Sequence, residues 1–147
     1  CIRDSQLRAR PLKRYTTVVD AQKVAQRWYQ QAVHDLEMAR RNLTVEGYDV
    51  AAFLAHQAVE KLLKAAFALE GRPVPRTHHL DEMASQLGLP DELQDAILDL
   101  TSDYAIARYP DVAGAVPYTL YSDDIASAKI AIAESVLAYF EQRWGTP

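Results

Sequence analysis

The chain has 147 residues, 49% of them hydrophobic and 24% charged, the size and balance of one globular domain around one core. Its 5 glycines, 7 prolines and lack of any apolar run near the roughly 18 residues that cross a bilayer exclude collagen-like, low-complexity and membrane-spanning classes. The formal net charge of −4 is unevenly placed: Arg3, Arg8, Arg10, Lys13 and Arg14 face only Asp4 at the start, leaving an acidic body without the broad basic surface of non-specific nucleic-acid binders.

Residues 1–19 precede any periodic pattern and read as a poorly ordered tail, or as residues foreign to the natural protein, ahead of a domain over 20–147. Cys1, the single cysteine, can form no internal disulfide, and no apolar segment of signal-peptide type follows it, so a cytoplasmic protein is expected.

From Asp20, a candidate N-cap, Val24, Trp28, Ala32, Leu36, Ala39 and Leu43 recur at three- and four-residue steps and predict a long amphipathic helix that stops between Asn42 and Gly47. Asp35 falls near the apolar stripe, where an acid needs a partner. A second helix, Tyr48 to Glu70, is apolar around most of its circumference and ends at Gly71. Such a helix is either central to the bundle or meets a second subunit on its outer face, which makes a homodimer an expected state. After a proline-rich connector ending in Thr77, His78 and His79, Leu80 to Leu87 read as a short helix closed by Gly88. Leu93, Ile97, Leu100 and Tyr104 predict one further helix from about Asp91 to Arg108, ended by Pro110. Residues 109–122 read as a loop, and a last helix starts at Ser122 or Asp123 and ends at Gly145. No segment alternates with period two. The expected fold class is all-α, an antiparallel up-and-down bundle of four main helices plus one short helix.

Few residues carry visible chemistry. On the second helix His56, Glu60 and Lys64, with Gln57 and Lys61, share a flank, either as intrahelical ion pairs or as a cationic receptor for a phosphate. Between Arg76 and Lys129 the only cation is Arg108, among ten carboxylates from Asp81 to Asp124. It either ties an acidic helix and loop together by ion pairs or is a shielded functional cation. His78 and His79 have no partners at metal-ligand spacing, there is no glycine-rich phosphate loop and no nucleophile elbow, so neither metal nor cofactor is expected.

The segments Ala32 to Ala39, Ala55-His56-Gln57-Ala58-Val59-Glu60-Lys61-Leu62-Leu63-Lys64-Ala65, Thr77-His78-His79-Leu80 and Tyr104-Ala105-Ile106-Ala107-Arg108-Tyr109-Pro110, in that order, resemble the HEPN family over about residues 21–142. That resemblance implies a small prokaryotic helical bundle, often dimeric, found alone or beside a minimal nucleotidyltransferase as possible partner. Many members are metal-independent ribonucleases, some of them in toxin–antitoxin pairs, that use an arginine followed after four to six residues by a histidine. Arg108 stands at the arginine position, yet no histidine follows it. Arg27 with His34 and Arg72 with His78 or His79 match that spacing, as about one pair would by chance, but in the first helix and the proline loop, where they do not replace it.

The departure matters physically, because attack of a 2′-hydroxyl on phosphorus needs a group that moves protons as well as a cation. The expected function is therefore a HEPN-type module that binds a nucleotide or phosphate ligand, or a partner protein, without nuclease activity. Its contacts would come from His56, Lys61, Lys64, Tyr104 and Tyr109 beside Arg108 and His78. The alternative is a metal-independent ribonuclease of RNA in which Arg108 recruits His78 or His56 in space as catalytic partner.

Overall fold

The computed structural model describes residues 17–147, so the expected tail falls, for residues 1–16, outside the described part. Among the described residues every regular element is helical and none is a strand. In chain order these are α1 (Val18–Thr44), α2 (Tyr48–Leu69), α3 (Leu80–Gln86), α4 (Asp91–Thr101), α5 (Asp103–Ile106), α6 (Pro110–Ala113), a 3-10 turn (Pro117–Leu120) and α7 (Asp123–Trp144). The long helices α1, α2, α4 and α7 make the antiparallel bundle that the periodicities imply.

Helix α1 begins earlier than its apolar pattern: Thr17 is the cap, its Oγ1 accepting the Asp20 N–H at 3.0 Å. Asp20 instead lies in the first turn, where its charge meets the positive end of the helix dipole. The helix ends at Thr44, inside the stop expected between Asn42 and Gly47. The left-handed residue is Glu46, with φ of 60°, and not the adjacent Gly47.

Helix α2 is the central element, packing on α1 and α7 and touching α3, α4, α5 and the 3-10 turn. Ala51, Ala55, Ala58, Ala65 and Ala66 are fully buried in the single chain, and their small side chains let neighbouring helices approach closely. Its wide apolar circumference is thus covered within one chain. Gly71, at φ of 68°, ends α2 in a Schellman turn in which the Arg72 N–H reaches Phe67 O at 3.0 Å.

Two predicted segments differ. The helix expected from Asp91 to Arg108 breaks at Ser102 into α4 and α5, and the expected loop 109–122 holds α6 and the 3-10 turn. The break accompanies the burial of an acid. Asp103, 4% exposed, accepts from the Tyr121 hydroxyl at 2.6 Å, while Lys129 Nζ on α7 lies 2.9 Å from its other oxygen. Burial first, and then the Asp103 carboxylate, push the Tyr121 pKa up, so the phenol remains a donor. This clasp joins α5, α7 and the segment after the 3-10 turn. Beside it a small second core of Ala52, Ala107 and Tyr121, with Phe53 and Ile106 packed against it, seats residues 106–121 on the first half of α2.

Candidate functional site: an arginine in an aromatic cage

Arg108 follows the last turn of α5, whose carbonyls lack helical partners. Its Nε donates to Tyr104 O at 2.7 Å, folding the side chain back over its own helix. The guanidinium carbon then lies 4.3 Å from the Tyr104 ring centroid, 4.5 Å from that of Phe53 and 4.7 Å from that of Tyr109. Three ring faces therefore surround one cation, each contact contributing roughly 0.5–2 kcal/mol depending on how far water is excluded.

Among the described residues no carboxylate pairs with Arg108. Asp103 is engaged by Lys129 and Tyr121, while Asp91, Glu92, Asp95, Asp99 and Asp111 occupy exposed positions. The expectation that Arg108 holds an acidic helix and loop together by ion pairs is thereby corrected: apart from the buried Asp103 and the half-buried Asp81 the acids of this stretch face water, and the arginine faces rings. Its Nη2 is buried without a hydrogen-bond partner.

His56 projects from α2 one turn beyond Phe53 and is fully buried, its ring centroid 5.6 Å from that of Tyr104. Gln57 Nε2 lies 3.3 Å from the imidazole Nδ1, and the imidazole Nε2 has no hydrogen-bond partner. Burial pushes the His56 pKa down to about 4, and the nearby His78, Arg108 and Lys61 charges add to this, while the His78 backbone pulls the other way. At pH 7 the ring is neutral.

His78 stacks flat on Tyr104, centroids 3.8 Å apart and planes 9° from parallel. Two groups each about 4 Å from one ring centroid cannot share a face, so Tyr104 stands between His78 and the guanidinium. Tyr109, 45% exposed, forms the outer wall of the cage.

The two lysines are placed otherwise. Lys61 Nζ donates to Asp35 Oδ2 at 2.6 Å and to Gln57 Oε1 at 3.2 Å, so it reaches the site only through Gln57, and Asp35 has the partner its position demands. Lys64 is not brought to Arg108. It lies about 12 Å along α2 from His56 at 1.5 Å per residue, with Nζ 3.2 Å from Glu60 Oε2 and 5.3 Å above the Trp28 ring.

The structure thus gathers Arg108, His56, His78, Tyr104 and Tyr109, and adds Phe53 and Gln57, which sequence reasoning did not single out as contacts. Phe53 had a signal, since it precedes His56 by three residues on the same helix face. Among the described residues no three His, Cys, Asp or Glu side chains come together in a way that holds a metal ion. A guanidinium with a free buried N–H, and a neutral imidazole packed against the same Tyr104 ring, are equipped to receive an oxyanion.

Comparison with known proteins agrees with this geometry at the level of fold and family. The family model described as "HEPN domain" matches residues 25–143. No curated protein matches the chain. Among solved structures, TT1696 from Thermus thermophilus is similar at 31% identity, with 80% of this chain and 96% of that chain covered and a TM-score of 0.76. ST0689, an archaeal HEPN homologue, is 28% identical with 81% and 96% covered and a TM-score of 0.71. A HEPN domain protein from Thermotoga maritima is 28% identical with 79% and 95% covered and a TM-score of 0.63. Helical order, central α2, the Arg108-Tyr109-Pro110 turn and these likenesses converge, and the chain belongs to the HEPN domain family.

Proposed function

We propose that this HEPN domain is a binding module that takes a phosphate-bearing ligand, a nucleotide in the first instance, at Arg108, and does not cleave RNA. One observation carries the reading: Arg108 Nη2 is buried and unpartnered in a cage of rings, with no carboxylate to neutralise the charge among the described residues. A buried donor without an acceptor costs about 1–3 kcal/mol, which an incoming oxyanion would recover. Tyr109 supplies an exposed aromatic edge beside that phosphate subsite. Calorimetry with AMP, ATP and inorganic phosphate tests this. Binding by the wild type and none by Arg108→Ala is expected; no heat with any of them overturns the reading.

A second reading, the metal-independent ribonuclease, is favoured by one fact, that His56 and His78 both pack against the ring that Arg108 touches. It predicts cleavage of labelled single-stranded or transfer RNA in excess chelator by the wild type and not by Arg108→Ala. Absence of cleavage by both would remove it. As for partners, a homodimer and a nucleotidyltransferase remain our proposals. The exposed apolar side chains Val112, Val116, Tyr118 and Leu120, in the segment that follows Tyr109 in the chain, support a protein contact on that segment.

A further inference from the structure

The hydrogen bonds behind His56 determine which of its ring nitrogens carries the proton. They start at Asp35, buried on α1, whose Oδ1 accepts from Gln31 Nε2 at 2.8 Å and whose Oδ2 accepts from Lys61 Nζ at 2.6 Å. Lys61 donates again, to Gln57, at 3.2 Å. An ammonium has no lone pair, so the Gln57 atom that faces it must be the carbonyl oxygen. That fixes the orientation of the amide and leaves its nitrogen toward the imidazole, 3.3 Å from His56 Nδ1. An amide nitrogen only donates. Nδ1 must then be the bare nitrogen, and the single proton of a neutral imidazole sits on Nε2.

The other nitrogen, Nε2, is therefore a donor; it is buried and, like Nη2 of Arg108, makes no hydrogen bond of good geometry, although the His78 backbone acceptor is near enough to raise the pKa of the ring. We propose that Asp35, Lys61 and Gln57 are positioning residues that hold His56 as a fixed Nε2–H donor, so that the Arg108 site offers two N–H donors to an oxyanion and His56 does not act there as a base. The ligand class follows from the donor set. Two N–H donors select an oxyanion with at least two free oxygens, as in a phosphate ester. Burial supports the same assignment, because it keeps the ring neutral at pH 7.

The oxyanion half of this proposal rests on the reading of Arg108 given above, whereas the position of the proton does not. The test is a two-bond proton–nitrogen spectrum of the imidazoles in nitrogen-15-labelled full-length protein at pH 7, with the His56 signal assigned by its loss in His56→Asn. A single Nε2–H form of His56 is expected in the wild type. In Gln57→Glu the side chain can only accept, so the proton should move to Nδ1. Lys61→Met, which lets the amide turn over, should give a mixture and serves if the first variant does not fold. A wild-type ring protonated on Nδ1, or a tautomer unmoved in both variants, overturns the proposal. Inorganic phosphate added to the same samples should bind Gln57→Glu about tenfold more weakly, the effect of losing one hydrogen bond to a charged acceptor. Equal affinity in wild type and Gln57→Glu would overturn the donor role. Phosphate that binds neither protein, alongside the expected tautomers, would instead overturn the Arg108 reading and leave the positioning intact.

Discussion

Arg108 uses different nitrogens for different tasks: Nε closes the open carbonyl end of α5, and Nη2 is left for an acceptor that the fold does not provide. Lysine carries all its donors at one point and lacks the planar fork that separates Nε from Nη2, so it cannot cap Tyr104 O and also reach the Nη2 position, and Arg108→Lys should lose ligand binding even though charge is conserved. The stability effect of removing the side chain separates a cage from an ion pair. Truncating one member of a buried ion pair costs about 3–5 kcal/mol because it strands the other charge. Arg108 strands none, and truncation relieves the cost of its own buried, unpartnered Nη2, about 1–3 kcal/mol, which offsets much of the three ring contacts and one hydrogen bond, so Arg108→Ala should cost a net of only about 1–2 kcal/mol in urea denaturation. A second residue-scale prediction concerns acid. His56 has a folded pKa of about 4 against the ordinary 6.5, so the unfolded chain binds more protons between those values. Stability is thus full above pH 6.5 and falls as pH drops toward 4. Between pH 7 and pH 5 His56 should contribute a loss of about 2 kcal/mol, absent in His56→Asn, when denaturation midpoints are compared across that range.

At the scale of elements, the clasp of Asp103, Tyr121 and Lys129 holds the segment that carries Arg108 against α2 and α7. Tyr121→Phe removes a hydrogen bond to a buried carboxylate and should cost about 2 kcal/mol. Asp103→Ala leaves Lys129 without its counter-charge and should cost about 3 kcal/mol by chemical denaturation. Neither feature was visible in the amino-acid pattern. Leu93, Ile97, Leu100 and Tyr104 keep helical spacing straight through Ser102, and no Gly or Pro marks the break, because its cause is a lysine and a tyrosine brought from 26 and 18 residues away. The long helices were legible for the opposite reason. Their stripes of Ala32, Leu36 and Ala39, or of Ala55, Ala58 and Val59, are local patterns that packing simply fills. The stop expected between Asn42 and Gly47 falls at Thr44, though the pattern did not show that Glu46 would take the left-handed position, with the Gly47 N–H reaching Asn42 O at 2.8 Å. The candidate site stood between these extremes. His56, Tyr104, Arg108 and Tyr109 carried unusual chemistry in a plain helical sequence, but which face of Tyr104 each would occupy depended on how α5 meets α2.

On the scale of the whole molecule, the greasy circumference of α2 that suggested a second subunit is satisfied inside one chain, by α1 on one side and α7 on another. If two copies associate, they must use a different surface, and the exposed Val112, Val116, Tyr118 and Leu120 are apolar side chains available on the segment that follows Tyr109. Light scattering should then report a dimer for the wild type, and Val116→Asp together with Tyr118→Asp should return it to one chain; a wild type that stays monomeric at high concentration would remove that proposal. Among the described residues no helix is long and apolar enough to cross a membrane.

The positions of the two tryptophans have an optical consequence. Trp28 sits on α1 beneath Lys64, and Trp144 closes α7 against Tyr139 and Phe140, whereas the walls around Arg108 are phenylalanine and tyrosine. Excited near its red edge, where only indole absorbs, the protein therefore reports on its helical bundle while the cage stays dark. Unfolding and ligand occupancy can be read in separate channels from one sample, and an emission spectrum unmoved by a nucleotide would carry no information about whether the cage is filled.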